Sequence, residues 1–332
     1  MGNIIKENLT TLLKIIAMTS ISRRSFIEKS LLTAAAGVAA PTLLEAAAGS
    51  QTSAASPASP VSPASPESPA SLASPASPTP RYVKDDISLA QWALVDEIRA
   101  GKWKTLDFPK VAKNDFGLNG IEFVNTLFEV PTEGYLRRLK RNAGDLGVTM
   151  VLIMVDDEGD GCSVTSEERK QFVTNHRKWI DAAVYLGCHA IRTNCVGPKQ
   201  IDRNEALKHA AETYNMLLEY AVPLNISVLI ENHGGLSNDA DWMVSLMKTV
   251  NNLYFGSYPD WRQPSDNFDN VDYLVKMLPW AGGMSYRNQP TEELTARMIN
   301  LAKSSGYRGW YGIESSGREE IKKGITLLKK YL

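Results

Sequence analysis

Histidine and cysteine, the side chains that most often announce a catalytic or metal centre, are scarce, with four and three respectively in 332 residues. Three cysteines cannot staple a domain of this size, and an odd number leaves at least one thiol unpaired, so the fold must rest on a buried apolar core. An excess of charge of either sign is also missing: 36 Lys and Arg oppose 37 Asp and Glu, for a formal net charge of -1. That balance offers no broad attraction to nucleic acid or an anionic membrane, and neither is expected as a partner. The glycine-rich phosphate cradles G-x-G-x-x-G and G-x-x-x-x-G-K-[ST] are absent, which argues against a dinucleotide or nucleoside triphosphate site. A small uncharged ligand fits this composition better.

What is present begins with an address. Ser22-Arg23-Arg24-Ser25-Phe26-Ile27-Glu28-Lys29 sets paired arginines before an Ala/Leu-rich run from Leu31 to Leu44 and the small residues Ala46-Ala47-Ala48. This is the layout of a twin-arginine export signal. Residues 1–48 are therefore expected to direct export to the periplasm, with cleavage after Ala48 and membrane contact only through an uncleaved signal. From Ser50 to Pro80 the chain repeats Ala-Ser-Pro units, too poor in apolar bulk to fold, and residues 49–84 read as an extended disordered spacer. At about 3.1 Å per residue in polyproline geometry, roughly 30 such residues reach at most about 90 Å.

From residue 85 to 332 the pattern changes. Eight short β-prone runs recur at intervals of about 25 to 40 residues, the spacing of β-α units. They are Ile87–Trp92, Gly120–Val124, Met150–Val155, Ala190–Cys195, Ser227–Asn232, Leu253–Tyr258, Gly283–Tyr286 and Trp310–Glu314. Runs such as Val151-Leu152-Ile153-Met154-Val155 do not alternate polar with apolar, which suits parallel strands covered on both faces. Between them lie helical stripes, for example Phe172, Trp179, Ala183 and Leu186. Thr165 with Glu168 reads as a capping box and Thr291 as an N-cap. The expected fold is an α/β protein, a (β/α)8 TIM barrel, in preference to an open doubly wound sheet.

In such a barrel the C-terminal strand ends share one mouth. In chain order they carry Trp92, Glu122, Asp156 with Glu158, Asn194, Glu231 with His233, Asp260, Ser285 with Arg287, and Glu314. Glu231 and Glu314 each follow an apolar run, where an unpaired charge is costly without a cation or hydrogen-bond partners. Each taken alone reads equally as a rim carboxylate paired with Arg or Lys. Trp92 and Trp261 read as platforms for a ligand ring or as plugs of the barrel. Glu158 lies in an acidic glycine-rich turn that could touch a ligand. His176 and His209 are expected on solvated helix surfaces, and His189 at the opposite barrel end. Cys162 and Cys195, near the mouth on neighbouring strands, are placed to pair in an oxidising compartment.

Several stretches together resemble the sugar phosphate isomerase/epimerase group with the xylose isomerase-like barrel. The carriers are Asp86-Ile87-Ser88-Leu89-Ala90-Gln91-Trp92, Gly120-Ile121-Glu122-Phe123-Val124-Asn125, Met154-Val155-Asp156-Asp157-Glu158-Gly159, Ile230-Glu231-Asn232-His233-Gly234-Gly235, Gly256-Ser257-Tyr258-Pro259-Asp260 and Gly312-Ile313-Glu314. The resemblance implies one divalent metal, held by Glu, Asp, His and Glu from strands five to eight. Glu231, Asp260 and Glu314 match the acidic positions. Ser285 stands where the family has its histidine, and an oxygen-only set favours hard ions, Mg²⁺ or Mn²⁺. The resemblance further implies proton transfer through an enediolate, with Glu231 and Glu314 as acid and base. It implies a carbohydrate substrate contacted by His233, Glu122, Glu158, Trp92, Asn194, Arg287 and Trp261. The expected activity is isomerisation or epimerisation of a sugar or sugar derivative. The alternatives are a keto-sugar or inosose lyase or dehydratase of the same fold, and a non-catalytic exported sugar-binding protein. Endonuclease activity, which needs a three-metal site and a basic groove, is disfavoured by the four histidines.

Overall fold

Eight parallel strands follow one another in the computed structural model, which describes residues 86–262 and 268–332. They are β1 (Asp86–Ala90), β2 (Gly120–Val124), β3 (Thr149–Met154), β4 (Ala190–Thr193), β5 (Ser227–Glu231), β6 (Phe255–Tyr258), β7 (Met284–Tyr286) and β8 (Trp310–Ile313). Each matches one of the runs read from the sequence. The expected export signal and spacer lie outside the described residues.

The ladder runs β6-β5-β4-β3-β2-β1-β8-β7. Two parallel bridges, Ser257 to Ala281 and Asp260 to Ser285, bring β6 beside β7. The result is a nearly closed barrel. Helices fill the crossovers: a short α1 (Val95–Arg99), then α2 (Phe108–Phe116), α3 (Glu133–Asp145), α4 (Ser166–Leu186), α5 (Arg203–Ala221), α6 (Ala240–Val250), α7 (Asn270–Met277), α8 (Glu292–Ser304) and α9 (Arg318–Tyr331). Their starts obey the capping chemistry expected of them. Thr165 and Glu168 form the reciprocal box before α4, and the Thr291 hydroxyl accepts from the Leu294 amide before α8. Among the described residues no helix is long and apolar enough to cross a membrane.

Side chains from the strands serve two cores. Ala90, Leu152, Met154, Ala190, Leu229, Tyr258 and Trp310 pack together inside the ring. Leu89, Ile153, Ile191, Ile230 and Tyr311 join the larger core beneath the helices. Glycine admits the bulk within the ring, since a Cβ at Gly120 would overlap the Trp310 ring. With that floor filled by side chains, the C-terminal strand ends are left to line an open space above it.

Candidate active site

Three strand ends supply the central group. Glu231 closes β5, Asp260 follows β6 and Glu314 follows β8. One carboxylate oxygen from each lies within 4.8 Å of the others, and all three residues are buried. Ser285 of β7 completes the ring of elements. Its hydroxyl donates to Glu314 Oε2 and lies 3.3 Å from Asp260 Oδ1. The one hydroxyl proton serves one carboxylate at a time.

Local hydrogen bonds hold these residues in place. The Asn232 side chain donates from Nδ2 to the Asp260 carbonyl at 2.9 Å and accepts the Asp260 amide at Oδ1 at 2.7 Å. Asn125 treats Asp156 the same way, with both bonds at 2.8 Å. In each case a buried amide stands in for strand backbone and extends the ladder past its last paired residue. The Glu314 amide donates to the Tyr286 carbonyl at 2.9 Å and so continues β8 alongside β7.

Two arginines face the carboxylates. Arg287 Nε lies 2.7 Å from Asp260 Oδ1 and its NH2 3.3 Å from Glu314 Oε2. Arg192 of β4, only 1% exposed, places NH1 2.6 Å from Asp156 Oδ1 and Nε 2.8 Å from Glu231 Oε2. That last contact is an ion pair by distance, yet neither atom makes a hydrogen bond. The two charges sit together out of line, so Glu231 Oε2 is electrostatically compensated without being hydrogen-bonded. Four carboxylates (Asp156, Glu231, Asp260, Glu314) against two guanidiniums leave two negative charges when all are ionised. A buried excess of that size calls for protons or a divalent cation. The oxygen-only donors and the misaligned Glu231 oxygen fit a hard divalent ion, and the acidic trio is a group that could hold one.

The electrostatics separate these acids. Burial pushes the Glu231 carboxyl well above the usual range against the pull of Arg192, and it raises Glu314 against the pull of Arg287. Asp156 moves the other way. Burial there is outweighed by the Arg192 charge and by hydrogen bonds from Arg192 and Asn194, and its carboxyl is lowered. Burial and the Arg192 charge lower His233.

The expected site residues divide into two groups. A cavity of about 800 Å³ opens at the strand ends and is lined by Trp92, Asp156, Asn194, His233, Arg287 and Glu314, among others. Of the acidic trio only Glu314 lines it; Glu231, Asp260 and Ser285 are buried and, like Glu122, Glu158 and Trp261, are not among its lining residues. Glu122 is fully buried in the barrel, where the Ser88 hydroxyl at 2.6 Å and the Tyr258 hydroxyl donate to it. Gly312 makes room for its carboxylate. Burial raises Glu122 to about 7. Glu158 turns to helix α4, pairing with Lys178 at 2.6 Å and accepting from Trp179 Nε1 at 2.8 Å. Trp261, 1% exposed, packs against Tyr286 and Tyr311 in the outer core. It is neither a barrel plug nor a platform in the cavity, because its backbone pairs with Ser285 and leaves the indole on the helix side.

Two further expectations are corrected. His176 is buried, with Nδ1 2.8 Å from the Phe172 carbonyl and its ring against Phe172. It shares the apolar face of α4 because it falls four residues after Phe172 and three before Trp179. Cys162 and Cys195 are buried free thiols.

Arg192 is the site residue that sequence reading passed over, and Asp156, read at the barrel mouth, was given no role there. The available signal was a lone arginine within the short buried strand Ala190-Ile191-Arg192-Thr193, a position that demands an acidic partner.

A family model described as xylose isomerase-like TIM barrel matches residues 110–280. Among solved structures, a D-tagatose 3-epimerase-like protein superposes with a TM-score of 0.62 at 15% identity, covering 74% of this chain and 96% of its own. The 3-keto-D-glucoside 4-epimerase of E. coli gives 0.60 at 12% identity, with 74% and 100% covered. The probable 3-DHS dehydratase of Bacillus anthracis gives 0.58 at 16%, with 74% and 98% covered. At these identities the superpositions establish the fold. A search of curated protein sequences finds no match.

Proposed function

The chain belongs to the xylose isomerase-like TIM barrel family, and from that premise we propose that it is a divalent-metal-dependent isomerase or epimerase of a sugar or sugar derivative. The observation that carries the reading is the convergence of Glu231, Asp260 and Glu314 on one point at the mouth of the barrel. The epimerases that share the fold agree with it. These three carboxylates, with Ser285 beside two of them, would hold Mg²⁺ or Mn²⁺, which would supply Lewis-acid polarisation of a carbonyl.

The chain's own groups do the rest. Glu231 and Glu314 take and return a proton at the carbon beside that carbonyl. Burial raises the affinity of both for a proton, which suits groups that accept one and give it back. Asp260, clasped by Asn232, holds its place while the two glutamates change charge. Arg192 and Arg287 keep the ionised forms tolerable in a buried site. The buried neighbours of the trio exclude water from the acidified carbon. Export through the twin-arginine segment would give this reaction free sugars as its substrates.

Two observations favour other readings. Likeness to a dehydratase agrees with expulsion of a β-leaving group by the same base. Ser285 in the histidine position, with Arg287 already on Asp260 and Glu314, suits a pocket that binds sugar without turning it over. One experiment separates the three. Purified protein is assayed for bound metal and incubated with D-tagatose or D-fructose in deuterated water. A stoichiometric divalent metal and deuterium in recovered sugar are expected. Product lighter by water points to the dehydratase, and a metal-free protein indifferent to EDTA that binds sugar but exchanges nothing overturns the catalytic reading.

A further inference from the structure

Asp156 is built into the site with as much care as Asp260, although it lies outside the acidic trio. Asn125 clasps its backbone at both ends, just as Asn232 clasps that of Asp260. Its carboxylate is then oriented by side chains. Oδ1 accepts from Arg192 NH1 at 2.6 Å and Asn194 Nδ2 at 2.9 Å, and Oδ2 accepts from Trp92 Nε1 at 3.3 Å. A carboxylate offers about four acceptor positions, so among the described residues Oδ2 keeps one for a further donor. It does so at the cavity wall, beside Trp92, Asn194 and His233.

The charges nearby restrict what that donor is. Both guanidiniums inside the site are engaged, Arg192 with Asp156 and Glu231 and Arg287 with Asp260 and Glu314. Arg99, the other arginine at the cavity, lies over the Trp92 ring at 5.5 Å. A phosphate or carboxylate brought to this wall would meet an ionised carboxylate and no uncommitted interior cation. A hydroxyl would donate to Oδ2, and the Trp92 ring would cover the C–H face beside it.

We infer that Asp156 is a specificity-determining residue that accepts a hydroxyl of an unphosphorylated, uncharged sugar and rejects an anionic one. The inference rests on the reading of the cavity as a sugar site. Because Arg192 pairs with both Asp156 and Glu231, recognition of the hydroxyl and charge compensation of the proton carrier share one guanidinium.

The test is calorimetric titration of the full chain, with and without Mg²⁺, using D-fructose and D-fructose 6-phosphate. Wild type is expected to bind the neutral sugar at least about tenfold more tightly. Asp156→Asn, which keeps the backbone clasp and the shape, is expected to lose about tenfold for D-fructose and to gain or hold affinity for the phosphate. Asp156→Glu should restore the preference in part. Equal affinities in wild type, no binding of either sugar by wild type, or an unchanged ratio in a folded Asp156→Asn protein would each overturn the assignment. The wild-type comparison decides even if the variants fail to fold. Absence of deuterium exchange with the preference intact sinks catalysis and leaves this assignment standing.

Discussion

Asn232 grips Asp260 at both ends of its peptide unit, donating to its carbonyl at 2.9 Å and accepting its amide at 2.7 Å. The last backbone pair between β5 and β6 joins Glu231 to Tyr258, so the side-chain clasp begins where the ladder stops. It carries order outward to Asp260, one of the three convergent acids.

Replacing Asn232 with alanine removes both bonds and leaves a buried amide and a buried carbonyl unpaired. Each costs about 1 to 3 kcal/mol, and chemical denaturation of Asn232→Ala should show a loss of that order. Divalent-ion affinity should fall by more than the stability change alone explains, because Asp260 no longer holds its position. Asn232→Asp is the sharper variant, since it sets an acceptor against the Asp260 carbonyl.

Most strands were legible because each is a short β-prone run between turn residues, Glu231 and Glu314 because each directly follows an apolar run, and Asp260 because its stretch resembles the family's acidic position. Arg192 was not, since nothing in the local pattern around Ala190-Ile191-Arg192-Thr193 shows that its guanidinium spans two neighbouring strand ends. Glu158 drew attention at the mouth where Asp156, two residues earlier, is the residue that faces the cavity. The glycine-rich turn bends the chain toward α4 and carries Glu158 to Lys178 and Trp179. His176 was misread for a related reason, as a polar residue on a helix stripe whose carbonyl partner at Phe172 is invisible to hydropathy.

Arg192→Met leaves Glu231 and Asp156 buried without their shared cation, a change that costs about 3 to 5 kcal/mol in comparable buried pairs. Thermal and denaturant unfolding should register most of it. Arg192→Lys should recover only part, since one ammonium cannot match the two-pronged reach of a guanidinium.

Two buried groups give opposite responses to pH. His176 has its pKa lowered from 6.5 to about 4, chiefly by burial. The folded state prefers the neutral ring, so this contribution is complete above pH 6.5 and is lost as pH falls toward 4, by roughly 3 kcal/mol. Glu122 has its pKa raised from 4.5 to about 7, chiefly by burial. Its contribution is complete below pH 4.5 and declines by a similar roughly 3 kcal/mol as pH rises past about 7. His176→Gln should therefore flatten the acid side of the stability profile. Glu122→Gln should flatten the neutral side and leave the variant more stable than wild type at pH 8, relative to their difference at pH 4. Unfolding curves across pH 4 to 8 check both, and a wild-type profile with neither slope would contradict the burial assigned to these groups.

Metal removal closes the set, because it acts on the point where Glu231, Asp260 and Glu314 meet. A ligand that binds only the folded state stabilises it by RT ln(1 + [L]/Kd), about 2.7 kcal/mol at a hundredfold excess over Kd. Wild type dialysed against EDTA should unfold at lower temperature than protein in saturating Mg²⁺ or Mn²⁺. The gap should vanish in Glu231→Gln and Glu314→Gln, which lose ligand charge. The same substitutions relieve repulsion among buried acids, since Glu314 and Asp260 each raise the Glu231 carboxyl. The EDTA-treated variants should accordingly be at least as stable as EDTA-treated wild type. A metal site and a purely structural acidic cluster therefore differ in the salt-matched comparison. In the first, Mg²⁺ reverses the order of stability between wild type and variant; in the second, Arg192 and Arg287 alone neutralise the acids and added ion changes neither protein.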